Sequence, residues 1–113
     1  MSEHWKTISF DVSEHEAPVC EAAIRLILRT LRDPATRDKH PAWDWMREGC
    51  DQHLMAGAGH AIRAAREGFG FKEADGEDHV ARAVTRCAEA AACRFVLNRE
   101  PECRAPSGIS EAL

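Results

Sequence analysis

Three stretches of this chain repeat apolar side chains at three- and four-residue steps, a period that suits helices and excludes half-buried strands. In the first, Val19, Cys20, Ala23, Ile24, Ile27, Leu28 and Leu31 make one stripe, with Glu21 and Arg25 four apart on the polar side. The second stripe is Leu54, Ala58, Ala61, Ile62, Ala65 and Phe69. The third, Val80, Ala83, Val84, Cys87, Ala88, Ala91 and Phe95, is broad enough for two neighbours. Local punctuation agrees with this reading. Ser13 and Glu16 have capping-box spacing ahead of Pro18, and Asp33-Pro34 stops the first helix near Arg32. Asp51 is placed to cap the second helix, Gly68 and Gly70 to end it, and Asp75 to cap the third. Trp43, Trp45 and Met46 predict a short helix between the first and second. Two tryptophans one residue apart cannot share a helical face, so one packs inward and the other sits at the rim.

The expected fold is mainly α: a small helical bundle with a short N-terminal extended segment. Its expected core is Ile24, Ile27, Leu28, Leu54, Ile62, Val84, Cys87 and Phe95. Residues 1–12 form the arm or strand, 13–98 the single helical domain, and 99–113 an irregular tail marked by Pro101, Pro106, Ser107 and Gly108. Trp5, Ile8, Phe10 and Val12 come close to strand alternation, but a lone strand needs an edge, which another chain would have to supply. A chain of 113 residues holds one core, and much of its 44% apolar share is alanine. Such a thin core predicts a symmetric homodimer.

The net charge of −4 comes from 15 basic and 19 acidic residues mixed along the chain, so no general field favours a polyanion. No basic run interleaves with aromatics, and nucleic acid is not an expected partner. No stretch has the length of a membrane span, and Met1 to Asp11 lack the order of a secretion signal; the expected location is cytoplasmic, with no membrane partner. Cys20, Cys50, Cys87, Cys93 and Cys103 lack CxxC spacing, which fits reduced, mostly buried thiols. Cys87 belongs to the apolar face, and Cys50, beside Gly49, is the best candidate for a reactive thiol.

His53, His60, Asp75, Glu77, Asp78 and His79 form the most informative polar constellation. His53 and His60, seven apart, share one helix face, and His79 opens the next helix. Imidazole and carboxylate together can hold a divalent ion, activate water or relay a proton. Zinc suits two histidines and an acid, while magnesium prefers the oxygen-rich side. There is no HExxH, P-loop or dinucleotide fingerprint. The plainer reading is a helix cap, solvated carboxylates and histidines at a helix border. Arg63 with Arg66, and Arg82 with Arg86, are pairs that can meet phosphate or, on the plainer reading, Glu67 and Glu89. Trp43 and Trp45 are candidates for base stacking or for structural anchors. Gly57 and Gly59 weaken their helix unless a backbone or ligand comes close.

From Trp45 to Leu97 the chain resembles the helical domain named for dATP/dGTP diphosphohydrolases, often found in phage-associated proteins. The resemblance lies in a Trp followed by Gly49, His60 in an alanine-rich helix, and Gly76 three residues before His79. Gly59, Phe69, Lys72, Arg82 and Arg86 depart from the family's pattern. The resemblance implies metal-assisted attack of water on a deoxynucleoside triphosphate. His60, His79 and one or more of Asp75, Glu77 and Asp78 would hold zinc, manganese or magnesium, the arginines would meet phosphate, and a tryptophan the base. Without the resemblance, the chain reads as a small helical adaptor or inhibitor that binds another protein, or as a structural helical oligomer.

Overall fold

The computed structural model describes residues 4–34, 39, 41–67 and 78–97. Among them the architecture is helical, with no strand, as the apolar periodicity predicts. Residues 4–12 carry neither helix nor strand and are exposed. Trp5 meets the Arg32 guanidinium 5.7 Å from its ring centre. No described helix is long and apolar enough to cross a membrane.

Helix α1, Ala17–Leu31, follows a reciprocal capping box. The Ser13 N–H donates to Glu16 Oε1 at 2.8 Å, and the Glu16 N–H donates to Ser13 Oγ at 3.2 Å. The Ser13 N–H first, and then the Ser13 hydroxyl, hold the exposed Glu16 carboxyl below its ordinary range. Asp44–Arg47 forms a 3₁₀ turn. It separates the two tryptophans as helical geometry requires: Trp43 is exposed, with Arg47 over its ring, and Trp45 is half-buried.

Helix α2, Cys50–Arg66, starts earlier than an Asp51 cap would place it. Gly49 is its N-cap and donates its N–H to Gln52 Oε1 at 2.8 Å. Asp51 instead lies in the first turn, where a carboxylate complements the helix dipole. Helix α3, His79–Ala91, is capped by Asp78 rather than Asp75, with the Ala81 N–H donating to Asp78 Oδ1 at 3.0 Å. Asp75 lies outside the described residues, as do Gly68, Phe69, Gly70, Lys72, Gly76 and Glu77, and the tail after Leu97. A π turn, Ala92–Val96, extends α3 and closes with the Leu97 N–H on Ala92 O at 2.9 Å.

The broad face of α3 has two neighbours, α2 on one side and α1 on the other. Helices α2 and α3 run antiparallel: His53 lies beside Arg86, Gly57 beside Ala83 and Cys87, and His60 beside His79. Arg29 pairs with Asp78, and Arg82 approaches Asp33 at 4.0 Å, so the end of α1 is tied to the start of α3.

The interior differs from the expected core. Among the described residues, the buried apolar ones are Cys50, Ala64, Ala81, Ala90 and Cys93, and the largest wholly buried side chains are His53, His79 and Cys93. Ile24 is 52% exposed, Leu54 48% and Phe95 77%; Leu28 and Cys87 are exposed as well, and Ile27, Ile62 and Val84 are half-buried. The face that α2 turns to α3 is His53, Gly57, His60 and Ala64, one residue before the Leu54 stripe, a rotation of about 100°. Gly57 explains the choice. A Cβ there would lie 3.2 Å from Cys87 Sγ, 3.3 Å from Arg86 Cβ and 3.4 Å from Ala83 O, so the two backbones meet where α2 lacks a side chain. Gly59 has nothing near its missing Cβ, and close approach explains only the first of the two glycines. Among the described cysteines, all free, Cys50 and Cys93 are buried while Cys20 and Cys87 are exposed, fewer buried thiols than composition predicts.

Candidate functional site

Bounded by the end of α1, the 3₁₀ turn and the polar side of α3 is a cavity of about 390 Å³. Thr30 and Leu31 line it from α1; Asp44, Trp45 and Glu48 from the turn and its exit; His60 from α2; and Arg82, Thr85, Arg86 and Glu89 from α3. Lys39, Pro41 and Ala42 complete the wall. The α3 contribution follows from helical spacing, since 82, 85/86 and 89 recur every three or four residues. Its volume lies within the range of small-molecule sites.

The wall is braced by a buried network centred on His53, which is fully excluded from solvent. Its Nε2 lies 2.8 Å from the Trp45 carbonyl and its Nδ1 2.8 Å from Arg86 NH1. A carbonyl only accepts and a guanidinium only donates, so in this arrangement Nε2 carries the hydrogen, Nδ1 presents a lone pair, and the ring is neutral. Arg86 also donates to Glu48 Oε2 at 2.9 Å, and Cys93 Sγ donates to the Glu48 carbonyl at 3.7 Å. One buried imidazole thus links the tryptophan turn to the arginine of α3. Glu89 Oε1 lies 3.6 Å from His53 Nδ1. Burial holds the Glu89 carboxyl above the usual carboxylate range and the charge on Glu48 adds to the rise, while Arg86, and His53 whenever its ring is protonated, act the other way. The Thr85 hydroxyl is buried without a hydrogen-bond partner, a state that costs about 1–3 kcal/mol unless a bound group satisfies it.

His60 and His79, singled out in the sequence, meet. Their Nδ1 atoms lie 2.7 Å apart, with ring planes 29° apart and centroids separated by 5.0 Å. That separation is the nitrogen contact plus one ring radius on each side, so the imidazoles meet edge to edge, the N–H of one facing the lone pair of the other. His79 is fully buried, and His60 reaches the cavity. Asp78 has its oxygens engaged by the Ala81 N–H and by Arg29. Among the described residues, no group of three His, Cys, Asp or Glu side chains is placed to hold a metal ion; Asp75 and Glu77 lie outside them.

Of the four candidate arginines, Arg82 and Arg86 line the cavity, whereas Arg63 and Arg66 are exposed on α2 away from its lining. Trp45 lines it and Trp43 does not. Sequence reasoning missed Asp44, Glu48, Thr85 and Lys39 as wall residues and read Glu89 as a surface partner. The Arg82–Thr85–Arg86–Glu89 stripe carried a usable signal, a polar face on a helix needed by two neighbours; Glu48 carried none, because its place depends on the turn. No family model, curated protein or solved structure matches the chain.

Proposed function

We propose that the cavity binds a nucleoside triphosphate and serves metal-assisted hydrolysis of its phosphate chain. The observation that carries this reading is the pairing of Arg82 and Arg86, one turn apart, with the carboxylates of Asp44, Glu48 and Glu89 around one cavity. Arginines meet phosphate oxygens, and carboxylates suit the divalent cation that accompanies them. Glu48 and Glu89 are the carboxylates that would hold such an ion: burial first, and then the charge on Glu48, raise the Glu89 carboxyl, and a cation beside it would oppose that rise. When bound, the ion would offset charge on the phosphates and lower the pKa of a water molecule. Arg82 would orient the phosphates, Trp45 would offer a stacking face, and His60, backed by His79, would accept or pass a proton at the cavity edge. The resemblance to dATP/dGTP diphosphohydrolases supports the same substrate class.

The test is calorimetric titration with magnesium, manganese or zinc, each with and without a deoxynucleoside triphosphate, followed by product analysis. The expected result is nucleotide affinity that requires metal, weakened at least about tenfold by Arg82→Ala, and turnover lost in Glu89→Gln and His60→Ala with folding intact. No affinity and no turnover across this panel would reject the reading. The adaptor reading would then stand, favoured by the exposed Trp5, Ile8 and Phe10.

A further inference from the structure

The α2–α3 pair has a second side. Taking the seam as His53, Gly57, His60 and Ala64 on α2, the next residue at each step is Leu54, Ala58, Ala61 and Ala65. On α3 the seam positions His79, Ala83, Arg86 and Ala90 are followed by Val80, Val84, Cys87 and Ala91. Because both helices are right-handed and run in opposite directions, one step forward from the seam turns both sets toward the same side. The cavity-lining Arg82, Thr85 and Glu89 precede their seam positions by one and face the other way. The forward side is apolar on both helices over about four turns, with no charged residue among those eight positions. Leu54, Ala61, Ala65, Cys87 and Ala91 on it are exposed, and Phe95, four residues beyond Ala91, is also exposed.

We infer that this face is covered by the same face of a second copy, making a two-fold-symmetric four-helix bundle with one cavity on each outer side. Three observations select a second copy. First, a two-fold interface must complement itself, and an uncharged surface of small and branched apolar side chains does so, whereas most other surfaces of a chain with net charge −4 would bring like charges together. Second, the area is suitable. Two helices side by side, each about 10 Å across and about 20–25 Å long, give roughly 400–500 Å² of footprint. With the exposed Phe95 added, this stands above the ~400 Å² per partner of incidental contacts and at the low end of specific interfaces, as suits a concentration-dependent pair. Third, among the described residues no apolar side chain larger than cysteine is buried, so the described helices gain core from this cover whenever the chain is folded. A partner always present at matching concentration is the chain itself.

The experiment is sedimentation equilibrium of the full chain over a wide concentration range, with Ala61→Arg and Ala91→Arg as variants and Ala22→Arg, exposed on α1, as control. Expected for the wild type and the control is a mass about twice the 12.6 kDa of the chain, with a thermal midpoint that rises with protein concentration. Each face variant should shift the mass toward one chain or unfold, because an exposed helical alanine in a monomer accepts arginine with little effect on the fold. A strictly monomeric wild type with a concentration-independent midpoint would overturn the inference and give the face to another partner. A dimer that keeps its mass in both face variants would overturn it too, placing the interface elsewhere.

Discussion

The two sides of the α2–α3 pair differ by two residues in helical phase and by everything in chemistry. One step before the seam stand Arg82, Thr85 and Glu89, walled over by α1 and the tryptophan turn; one step after it stand Val80 and Val84, half-buried, and Cys87 and Ala91, exposed. A chain folding only to bury apolar area as a monomer would cover the second side first, since each buried methylene is worth about 0.8 kcal/mol. Among the described residues, the elements that line the cavity with α3, the end of α1 and the tryptophan turn, lie on the polar side. That placement makes sense if the polar side is a site, whose charges need low-dielectric walls, and if the apolar side is covered from outside. On the proposed pairing, the buried side and the apolar side of these two helices do not coincide: the first faces the cavity and the second faces the other copy.

The polar seam is most directly broken at His53. His53→Ala removes a fully buried ring, leaves the Trp45 carbonyl without its donor, and releases Arg86 from one of its two partners. We expect a loss of about 3 kcal/mol in urea unfolding. A loss below about 1 kcal/mol would mean that the histidine network is incidental to the packing. His53→Asn, which can place a donor and an acceptor within the same space, should recover part of the loss.

A smaller effect separates the two glycines of α2. Gly57→Ala should destabilise by about 1 kcal/mol, because the new methyl presses on the Cys87 sulfur and on Arg86 Cβ. Gly59→Ala meets nothing within 4 Å and should stabilise by about 0.5–1 kcal/mol. Equal shifts in denaturant midpoint would refute the close approach at Gly57 and with it the placement of the seam.

The smallest effect depends on pH. Glu89 is raised above 4.5 in the folded chain, chiefly by burial. The native state therefore holds its proton more tightly than the unfolded state, and this contribution to stability is lost as pH rises from about 4.5 through the folded value. Glu89→Gln has no such loss. Relative to wild type it should gain stability across that window and then level off, as followed by urea midpoints from pH 4 to 8. A relative stability that falls over the window would show that Arg86 and His53, rather than burial, dominate the Glu89 environment.

Helix existence and approximate extent were legible from local chemistry alone. The Ser13–Glu16 box, the three periodic stripes and the separation of Trp43 from Trp45 depend on neighbours within a few residues, and the structure has them as predicted. The convergence of His60 with His79 was legible as a possibility of the antiparallel pair, and Arg82 with Arg86 as one polar stripe. What sequence reasoning mistook was helix rotation. Hydrophobicity nominated the Leu54 stripe for the interior, but closeness of packing at Gly57 and satisfaction of His53 by Trp45 and Arg86 turned α2 by one residue. Period and caps are properties of a single segment and can be read from it. The side that faces inward is set by which surfaces approach most closely and leave fewest polar groups unmet, and that balance exists only once α2, α3 and the turn before them are assembled.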